Sequence, residues 1–543
     1  MPAMRFECLP SLHVPHLSRL TSAYLADFSR VSPYFEHPPT LEGVRAAASA
    51  ASGSVAQHGE LVSALRAVSR SFGGDSSVSQ NLDRLAAGAV AVVAGQQTAL
   101  FSGPAYTLYK ALTAIRVAQE LSAQGIVAVP VFWLASEDHD LAEVDHCDWL
   151  GRAGLERIEL PHGQDDEGRP VGEIALGPGV DAALAAALAA LEGPGASQIA
   201  SALRDSCSPA ESYASAFGKL LAALLAGRGL ILLDPHHPAV ASLAAPVALN
   251  ALRQNAALVS DLLKRGKALD QAGFHEQVKV SDKATLLFAI LDGRRLPLRT
   301  RGAGFEAGTR TFTLEELVAL AERAPGSLSP SALLRPIVQD TLLPTAACIA
   351  GPAEIAYFAQ SQVLYRRMLG RMPAVLPRAG FTLIEPHVAR LFRKYGLTVR
   401  DVLRGRQHLR QKLERESVPR ALARQMSTGE RNLRRYLTRI RNPLRKLDPT
   451  LAGALDISER KILYQLEKLR TRAGRAADRR EALLDHHERI LREAIAPHRD
   501  MQERTLCALP ILARHGLGLL DDLQERALPF AGPAGACHHL AFL

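Results

Sequence analysis

The stretch that decides the fold is Ala89-Val-Ala-Val-Val-Ala-Gly95, together with a second apolar run from Ile126 to Leu134. Both runs are short and do not alternate with polar residues, which is typical of strands covered on both faces of a parallel sheet. Between them, Gly103-Pro104 opens a helix-forming segment that ends near Gly125. Proline in the first turn suits a helix start. The order of elements predicts a right-handed βαβ unit.

Polar residues follow each of the two strands. Gly95, Gln96 and Gln97 end the first strand, and Ser136-Glu137-Asp138-His139-Asp140 ends the second. Ligands of open α/β sheets bind outside the carboxyl ends of the strands, so we expect both groups to face one cleft. An acid beside a histidine suits proton transfer. We therefore predict catalytic or substrate-binding roles for Glu137, Asp138, His139 and Asp140. A structural network and a divalent metal are the alternatives, although the spacing matches no standard ligand motif and no metal ligand is assigned.

The helix after the first strand offers an anion site. Free N–H groups at Gly103-Pro104 would favour a phosphate or carboxylate, and Gly351-Pro352 repeats the pattern. Tyr106, Tyr109, Lys110 and Thr113 fall on one helical face. Lys110 could lean back toward a bound phosphate, the alternative being a surface lysine.

A further set of polar residues lies beside apolar strands or turns, where an unpaired charge would be costly. These residues are either ion pairs within the core or contacts to a charged substrate, and both interpretations stay open for Arg335, Gln339, Asp340, Glu354 and Arg378.

Length and composition indicate a soluble protein of more than one structural unit, with 543 residues. The N-terminus lacks a signal-peptide pattern and no apolar run reaches the roughly 18 residues of a membrane span, so we expect a cytoplasmic protein without a membrane partner. The six cysteines form no CxxC pair, so neither a zinc site nor a disulfide framework is expected.

The net charge of +9 is concentrated in one segment. Residues 401–500 hold 25 Lys and Arg against 14 Asp and Glu, a local +11 that leaves −2 for the rest. From Pro386 to Pro497 the sequence is rich in Arg, Leu, Glu and Gln, and a heptad-like series predicts an antiparallel helical arm used for dimerisation. The series is Ile462, Leu466, Leu469, Ala473, Ala476, Arg480, Leu483, His487 and Ile490.

This pattern divides the chain into a core (1–385), a helical arm (386–500) and a segment that returns to the core (501–543) and ends in a strand.

As an alternative to dimerisation, the basic arm could bind the phosphates of a nucleic acid. Interleaved acids and the lack of an aromatic-rich strand platform favour a solvated coiled-coil face and no nucleic-acid partner.

Together these blocks resemble the BshC family of cysteine-adding ligases in bacillithiol biosynthesis, over essentially the whole chain. The motifs that carry the resemblance are Ala94-Gly95-Gln96-Gln97, Gly103-Pro104 through Tyr106 and Lys110-Ala111, Pro130 through Trp133 to Asp140, Leu334-Arg335-Pro336 through Thr345, Gly351-Pro352 through Tyr357, and Gln502-Glu503-Arg504.

The resemblance implies an α/β fold. Its core would be a Rossmann-like parallel sheet with inserted connecting pieces, similar to class I nucleotidyltransferases and synthetases. A C-terminal antiparallel coiled-coil arm would join two subunits into a homodimer. The implied reaction joins the carboxyl of L-cysteine to the amine of glucosaminyl-malate, which gives bacillithiol.

The same resemblance implies an activated cysteine carboxyl, formed with ATP or another adenine nucleotide, for which Mg²⁺ could serve as the counter-ion. Nucleotide binding is predicted for Gly95, Gln96, Gln97, Gly103, Pro104 and Lys110, and substrate binding for Tyr106, Arg335, Gln339, Asp340, Glu354 and Arg378. No HxGH-type histidine pair lies between Gly95 and Lys110, which leaves another activated cysteine donor open. A non-catalytic dimeric scaffold is the remaining alternative.

Overall fold

The computed structural model describes residues 4–52, 58–416, 420–477, 481–530 and 537–543. They form two compact units, each described by itself below. The first extends to Thr382 and includes Glu503–Ala541, and the second comprises Leu383–Gln502 with Phe542–Leu543.

A parallel sheet forms the centre of the first unit. Within the described residues its strands are β1 (Val90–Gln96), β2 (Ala128–Leu134), β3 (Ile231–Leu233), β4 (Thr345–Ala350) and β5 (Ala374–Pro377). They lie in the order β5-β4-β1-β2-β3, and every neighbouring pair is parallel. All of β2 is buried, as its unalternated apolar sequence predicted, and all of β4 is buried as well. The predicted Rossmann-like α/β fold is confirmed.

The strand order reverses between β1 and β4, which is the point where open α/β sheets bind their ligands. Three helices lead away from this region: α1 (Tyr106–Ala123), α2 (Arg335–Leu342) and α3 (Pro352–Met368). Helix α1 begins after the predicted Gly103-Pro104 start, because Pro104 forms a β-bridge with Cys507 and the Ala105 N–H donates to the Leu506 carbonyl, 2.8 Å away.

Other helices cover the sheet and its insertions. They are Arg19–Ala26, Leu41–Ala51, His58–Ser71, Ser76–Ala86, Gly179–Ala189, Ala196–Ser206, Tyr213–Leu224, Pro238–Arg253, Asn255–Gln271, Leu314–Arg323, Gln502–Thr505, Leu509–His515 and Leu519–Arg526. The insertions add antiparallel strands, a hairpin of His146–Gly151 with Gly154–Glu159 and a sheet of Ala284–Leu291, Arg294–Arg301, Gly304–Ala307, Arg310–Phe312 and Leu328–Pro330.

A small sheet brings the two chain ends together. The strand Cys537–Phe542 lies between Arg5–Pro10 and Gly380–Ile384, and Cys8 forms a disulfide with Cys537. The expectation that the cysteines form no disulfide was therefore wrong. Sequence separation concealed the pair, since its members lie 529 residues apart and meet only when the terminal strands pair.

The second unit is helical. Its helices are Pro386–Tyr395, Val399–Leu403, Arg406–Glu416, Arg420–Leu447, Thr450–Ala477 and Glu481–Ile495. The two longest run antiparallel, because Arg441 pairs with Asp456 near the turn and Arg470 donates to Ser427 far from it. The predicted antiparallel coiled-coil arm is confirmed. No helix in the described ranges is long and apolar enough to cross a membrane.

The predicted heptad-like series of the arm was wrong in its register, meaning that it named the wrong residues as the buried face. Ile462, Leu469 and Leu483 are exposed, whereas Leu455 and Arg470 are buried. Arg470 turns inward because its guanidinium donates to Ser427 Oγ at 2.8 Å, which rotates the adjacent Leu469 toward solvent. Arg480 and the side chain of Ala476 lie outside the described residues.

Candidate active site

A cavity of about 760 Å³ lies at the carboxyl ends of β1, β2 and β4, where the strand order reverses. Its volume suits a small-molecule ligand. Many residues singled out from the sequence line it, namely Gly95, Gln96, Gln97, Tyr106, Lys110, Asp138, Arg335, Glu354 and Arg378. The other lining side chains that matter below are Glu143, Tyr357 and Arg504.

Lys110 joins three acceptors in the wall of this cavity. Its Nζ donates to the Gly95 carbonyl and to Gln96 Oε1, both at 2.9 Å, and lies 2.5 Å from Glu354 Oε2. An ammonium has three N–H donors, so these three acceptors account for all of them. Burial lowers the pKa of Lys110, while the Glu354 carboxylate limits the shift. Lys110 therefore holds the end of β1 against the start of α3.

The start of α3 forms part of the cavity wall. Gly351, Pro352 and Ala353 line the cavity, so the positive end of the helix dipole faces it. The chain supplies its own anion there, because Glu354 Oε2 accepts the Gly351 N–H at 2.6 Å. The predicted anion preference near Gly351 is thus met by an internal carboxylate that also pairs with Lys110.

Arg335 is held from two sides. Its guanidinium donates to Gln339 Oε1 at 2.9 Å and to the Tyr357 hydroxyl at 3.2 Å. Burial works against its charge, but Tyr357 and Glu354 outweigh that effect and raise the pKa of Arg335. Gln339 therefore acts as a support for Arg335 and is not among the residues that line the cavity.

Asp340 lies in the core, away from the cavity. Its carboxylate accepts hydrogen bonds from Gln339 Nε2 at 2.8 Å and from the Tyr365 hydroxyl. Burial raises the pKa of Asp340. Both contacts are hydrogen bonds with neutral side chains of the core.

Arg378 enters the cavity as one half of a buried ion pair. Its Nη2 donates to Glu503 Oε1 at 2.6 Å, and its Nη1 donates to the Ala379 carbonyl at 3.1 Å. The second Glu503 oxygen accepts the Phe381 N–H at 2.9 Å. Burial opposes ionisation of Glu503, but the Arg378 charge outweighs it and lowers the pKa. The cation is thereby fixed in position beside the Tyr106 ring.

A group of acids forms another part of the wall. Gln97 Nε2 donates to Asp138 Oδ2 at 2.7 Å and to Glu143 Oε2 at 2.8 Å, so one amide links two carboxylates. Burial opposes ionisation of Asp138, but the hydrogen bonds from Gln97 Nε2 and from the His139 backbone N–H, together with the charge of Arg295, outweigh it. The pKa of Asp138 consequently lies well below its ordinary value, so its carboxylate is ionised and can accept hydrogen bonds.

The tautomer of His139 follows from its neighbour. Arg295 Nη1 lies 2.9 Å from His139 Nδ1, and a guanidinium only donates. Nδ1 must therefore be the acceptor, which places the proton of neutral His139 on Nε2. Arg295 itself donates to Ser329 Oγ and the Pro330 carbonyl. With Nδ1 engaged and Nε2 protonated, His139 has no free lone pair to act as a base.

Glu137 and Asp140 do not line the cavity. Glu137 is not among the cavity-lining residues, and burial raises its pKa despite the nearby charges of His236 and Arg295. His236 Nδ1 lies 3.2 Å from Glu173 Oε1. Asp140 is exposed. The predicted cluster is therefore split, and only Asp138 lines the cavity.

Gly103 and Pro104 also lie outside the cavity. The N–H of Gly103 donates to the Leu100 carbonyl at 2.9 Å, and Gly103 itself has a φ of +65°. The Gly103 and Ala105 N–H groups thus donate to protein carbonyls, and Pro104 forms a β-bridge with Cys507.

Sequence reasoning assigned no role to several residues of the site. Glu503 and Arg504 stood within a recognised motif, so that motif was an available signal. Arg295 had none, because it belongs to a strand inserted far along the chain. Within the described residues, no group of three or more His, Cys, Asp or Glu side chains is placed to hold a metal ion.

Comparisons with known proteins cover nearly the entire chain. Residues 4–379 match the family model for the N-terminal Rossmann-like domain of bacillithiol biosynthesis BshC, and residues 381–534 match the model for its C-terminal coiled-coil domain.

Full-length relatives agree with these matches. A protein of Solibacter usitatus is 40% identical over 95% of this chain and 96% of its own length. One from Koribacter versatilis is 38% identical over 96% and 97%. One from Symbiobacterium thermophilum is 32% identical over 96% and 97%. All three carry the name "Putative cysteine ligase BshC". The chain belongs to the bacillithiol biosynthesis BshC family.

Proposed function

We propose that this chain is a ligase of bacillithiol biosynthesis that joins the carboxyl of L-cysteine to the amine of glucosaminyl-malate. The names of its relatives support this role. The observation that carries it is the charge distribution of the cavity, which has fixed cations in one part and linked carboxylates in another. Both substrates carry an amine and at least one carboxylate. A site that binds them therefore needs carboxylates for the amines and cations for the carboxylates.

The cations suit the malyl group. Arg335, Arg378 and Arg504 line the cavity, and a guanidinium fork binds carboxylates with two parallel hydrogen bonds. Arg335 and Arg378 are already oriented by protein acceptors, which reduces the entropy lost when a ligand binds. We assign the two carboxylates of glucosaminyl-malate to these arginines.

The linked acids suit an amine. Asp138 and Glu143 share the Gln97 amide and line the cavity. An ionised Asp138 accepts hydrogen bonds from an amine or ammonium and orients it. Arg295 Nη1 lies 2.9 Å from His139 Nδ1 and 3.7 Å from Asp138 Oδ1, so we assign His139 to positioning Asp138 through Arg295 and not to proton abstraction.

Activation of the cysteine carboxyl by ATP, with Mg²⁺ as its counter-ion, belongs to the same proposal. Its support is the cavity's position at the strand-order reversal, where open α/β sheets bind their ligands. Since the donors of Lys110 are all engaged, we assign this lysine to holding Gly95 and Glu354 in place. We assign phosphate contacts to Arg504, because Arg335 and Arg378 are assigned to the malyl carboxylates and the Gly351 N–H at the start of α3 already binds Glu354.

A cytoplasmic homodimer joined by the helical arm completes the proposal. The arm exposes large apolar side chains that a second copy would cover, among them Tyr436, Ile457, Ile462, Tyr464 and Leu469. Sedimentation of the full chain with Ile462→Glu and Leu469→Glu tests this, and a dimer that survives both substitutions would contradict it.

The ligase test uses purified full-length protein with glucosaminyl-malate and L-cysteine, with and without ATP and Mg²⁺. Mass spectrometry detects the amide product and any AMP or ADP. We expect product only with ATP, and we expect Arg378→Ala to abolish it while Arg84→Ala does not. Absence of product from folded wild-type protein under every condition would refute the proposal.

A further inference from the structure

The disulfide joins two strands that solvent reagents can reach. Cys8 is exposed on the strand Arg5–Pro10, and Cys537 is half-buried on the neighbouring strand Cys537–Phe542. The four remaining cysteines are buried free thiols. Thiol–disulfide exchange requires access to a sulfur atom, so the Cys8–Cys537 pair is the one open to it.

The residue that follows Cys537 lies against the ion pair of the cavity. His538 Nε2 lies 2.8 Å from Thr382 Oγ1, and His538 Nδ1 lies 3.9 Å from Glu503 Oε1. Glu503 in turn holds Arg378. His538 and Glu503 are each 3% exposed, so neither can move without opening this packed region.

A ring contact makes a second connection. His539 stacks on Phe381 with 5.2 Å between ring centroids, and Phe381 contacts Tyr109, the neighbour of Lys110, at 4.9 Å. The Phe381 N–H also donates to Glu503 Oε2. The terminal strand therefore supports the cavity through both His538 and His539.

We propose that Cys8 and Cys537 form a reversible thiol–disulfide site that controls the terminal strand and, through His538 and Glu503, the position of Arg378. The cross-link spans 529 residues of sequence, so its loss removes a large constraint on the two chain ends. The reduced protein should open locally at the terminal strand more often.

The reaction needs only a low-molecular-weight thiol and does not depend on the ligase activity. A thiolate of the small thiol attacks one sulfur of the Cys8–Cys537 bond and forms a mixed disulfide. A second thiol molecule resolves that intermediate, giving two cysteine thiols and one small-molecule disulfide. Two electrons and two protons pass from the two small thiols to the protein, and a small-molecule disulfide reverses the reaction.

The test incubates the full chain with millimolar reduced or oxidised glutathione, followed by denaturation in an alkylating reagent and peptide mapping. We expect the four free cysteines to be alkylated in the oxidised protein and all six in the reduced protein. Hydrogen exchange of the peptide that contains Phe381 should quicken about threefold on reduction, while a β2 peptide stays unchanged. A Cys8→Ser, Cys537→Ser double variant should match the reduced protein and ignore glutathione.

Six alkylated cysteines after oxidised glutathione, or a disulfide that persists in millimolar reduced glutathione, would overturn the reversible site. A change in thiol number without faster exchange at Phe381 would overturn its coupling to Glu503. If the double variant fails to fold, Cys8→Ser alone serves, because it removes the disulfide and leaves the strand that carries His538 intact.

Discussion

Glu354 Oε2 lies 2.5 Å from Lys110 Nζ, across the point where the strand order reverses. One partner follows β1 and the other follows β4, so this pair ties together the two halves of the parallel sheet. The side chain of Lys110 is only 4% exposed, and it depends on Glu354 for a counter-charge.

Glu354→Gln should therefore destabilise the protein. The amide can still accept the Gly351 N–H, so the substitution removes mainly the charge that faces Lys110. An uncompensated buried ammonium should reduce the free energy of unfolding by about 2 kcal/mol. Urea denaturation measures this. Glu120→Gln is the matched control, since it breaks a more exposed pair with Arg116 and should cost less than about 0.5 kcal/mol. Equal losses of unfolding free energy in the two variants would contradict the view that Glu354 compensates the buried charge of Lys110.

Glu503→Gln should give a loss of stability that depends on pH. The pKa of Glu503 is lower in the folded protein than in the unfolded chain, because burial is outweighed by Arg378. Its contribution is thus fully present above the unfolded pKa and is lost as pH falls through the folded pKa. We expect the variant to be about 3 kcal/mol less stable than wild type at pH 7, with the difference shrinking below about pH 4. Denaturant unfolding from pH 7 to 3 checks this, and a difference independent of pH would exclude the ion pair as its cause.

The sequence predicted the sheet and the place of the cleft because both follow from local patterns. Unalternated apolar runs mark β1 and β2, and polar residues at their carboxyl ends mark the cavity. Contacts made over long sequence distances were not predictable. Arg295 reaches His139 from 156 residues away and fixes its tautomer, and Glu503 reaches Arg378 from 125 residues away. Neither contact leaves a local signal.

The anion site predicted at Gly103-Pro104 also depends on a contact made over a long sequence distance. The local sequence offers free N–H groups at a helix start, but the segment around Leu506 and Cys507 returns from the end of the chain and packs there. The buried Arg470 likewise shifts the seam of the arm by one residue, because its partner Ser427 lies on the facing helix.

Glu137→Gln should separate a catalytic role from a structural one. Burial raises the pKa of Glu137 above its unfolded value, so its contribution to stability is present below the unfolded pKa and is lost as pH rises through the folded pKa. At pH 7 the buried carboxyl group therefore lowers stability, and the amide should leave the free energy of unfolding unchanged or raise it by about 1 kcal/mol. Unfolding curves and amide-product formation are measured on the same samples. A stable variant with at least a tenfold loss of activity would assign Glu137 a role in proton transfer, whereas full activity would remove it from the predicted catalytic residues.

His139 offers the sharpest test of the site, because its two nitrogens have different roles. The amide oxygen of Asn can take the place of Nδ1 and accept from Arg295, whereas Gln places its amide nearer the position of Nε2. If His139 positions Asp138 through Arg295, His139→Asn should keep product formation within about threefold of wild type and His139→Gln should lose at least tenfold. The pH dependence of the rate should be the same for wild type and His139→Asn. Loss of activity in both variants, together with loss of one limb of the pH profile, would instead show that the imidazole itself exchanges a proton during the reaction.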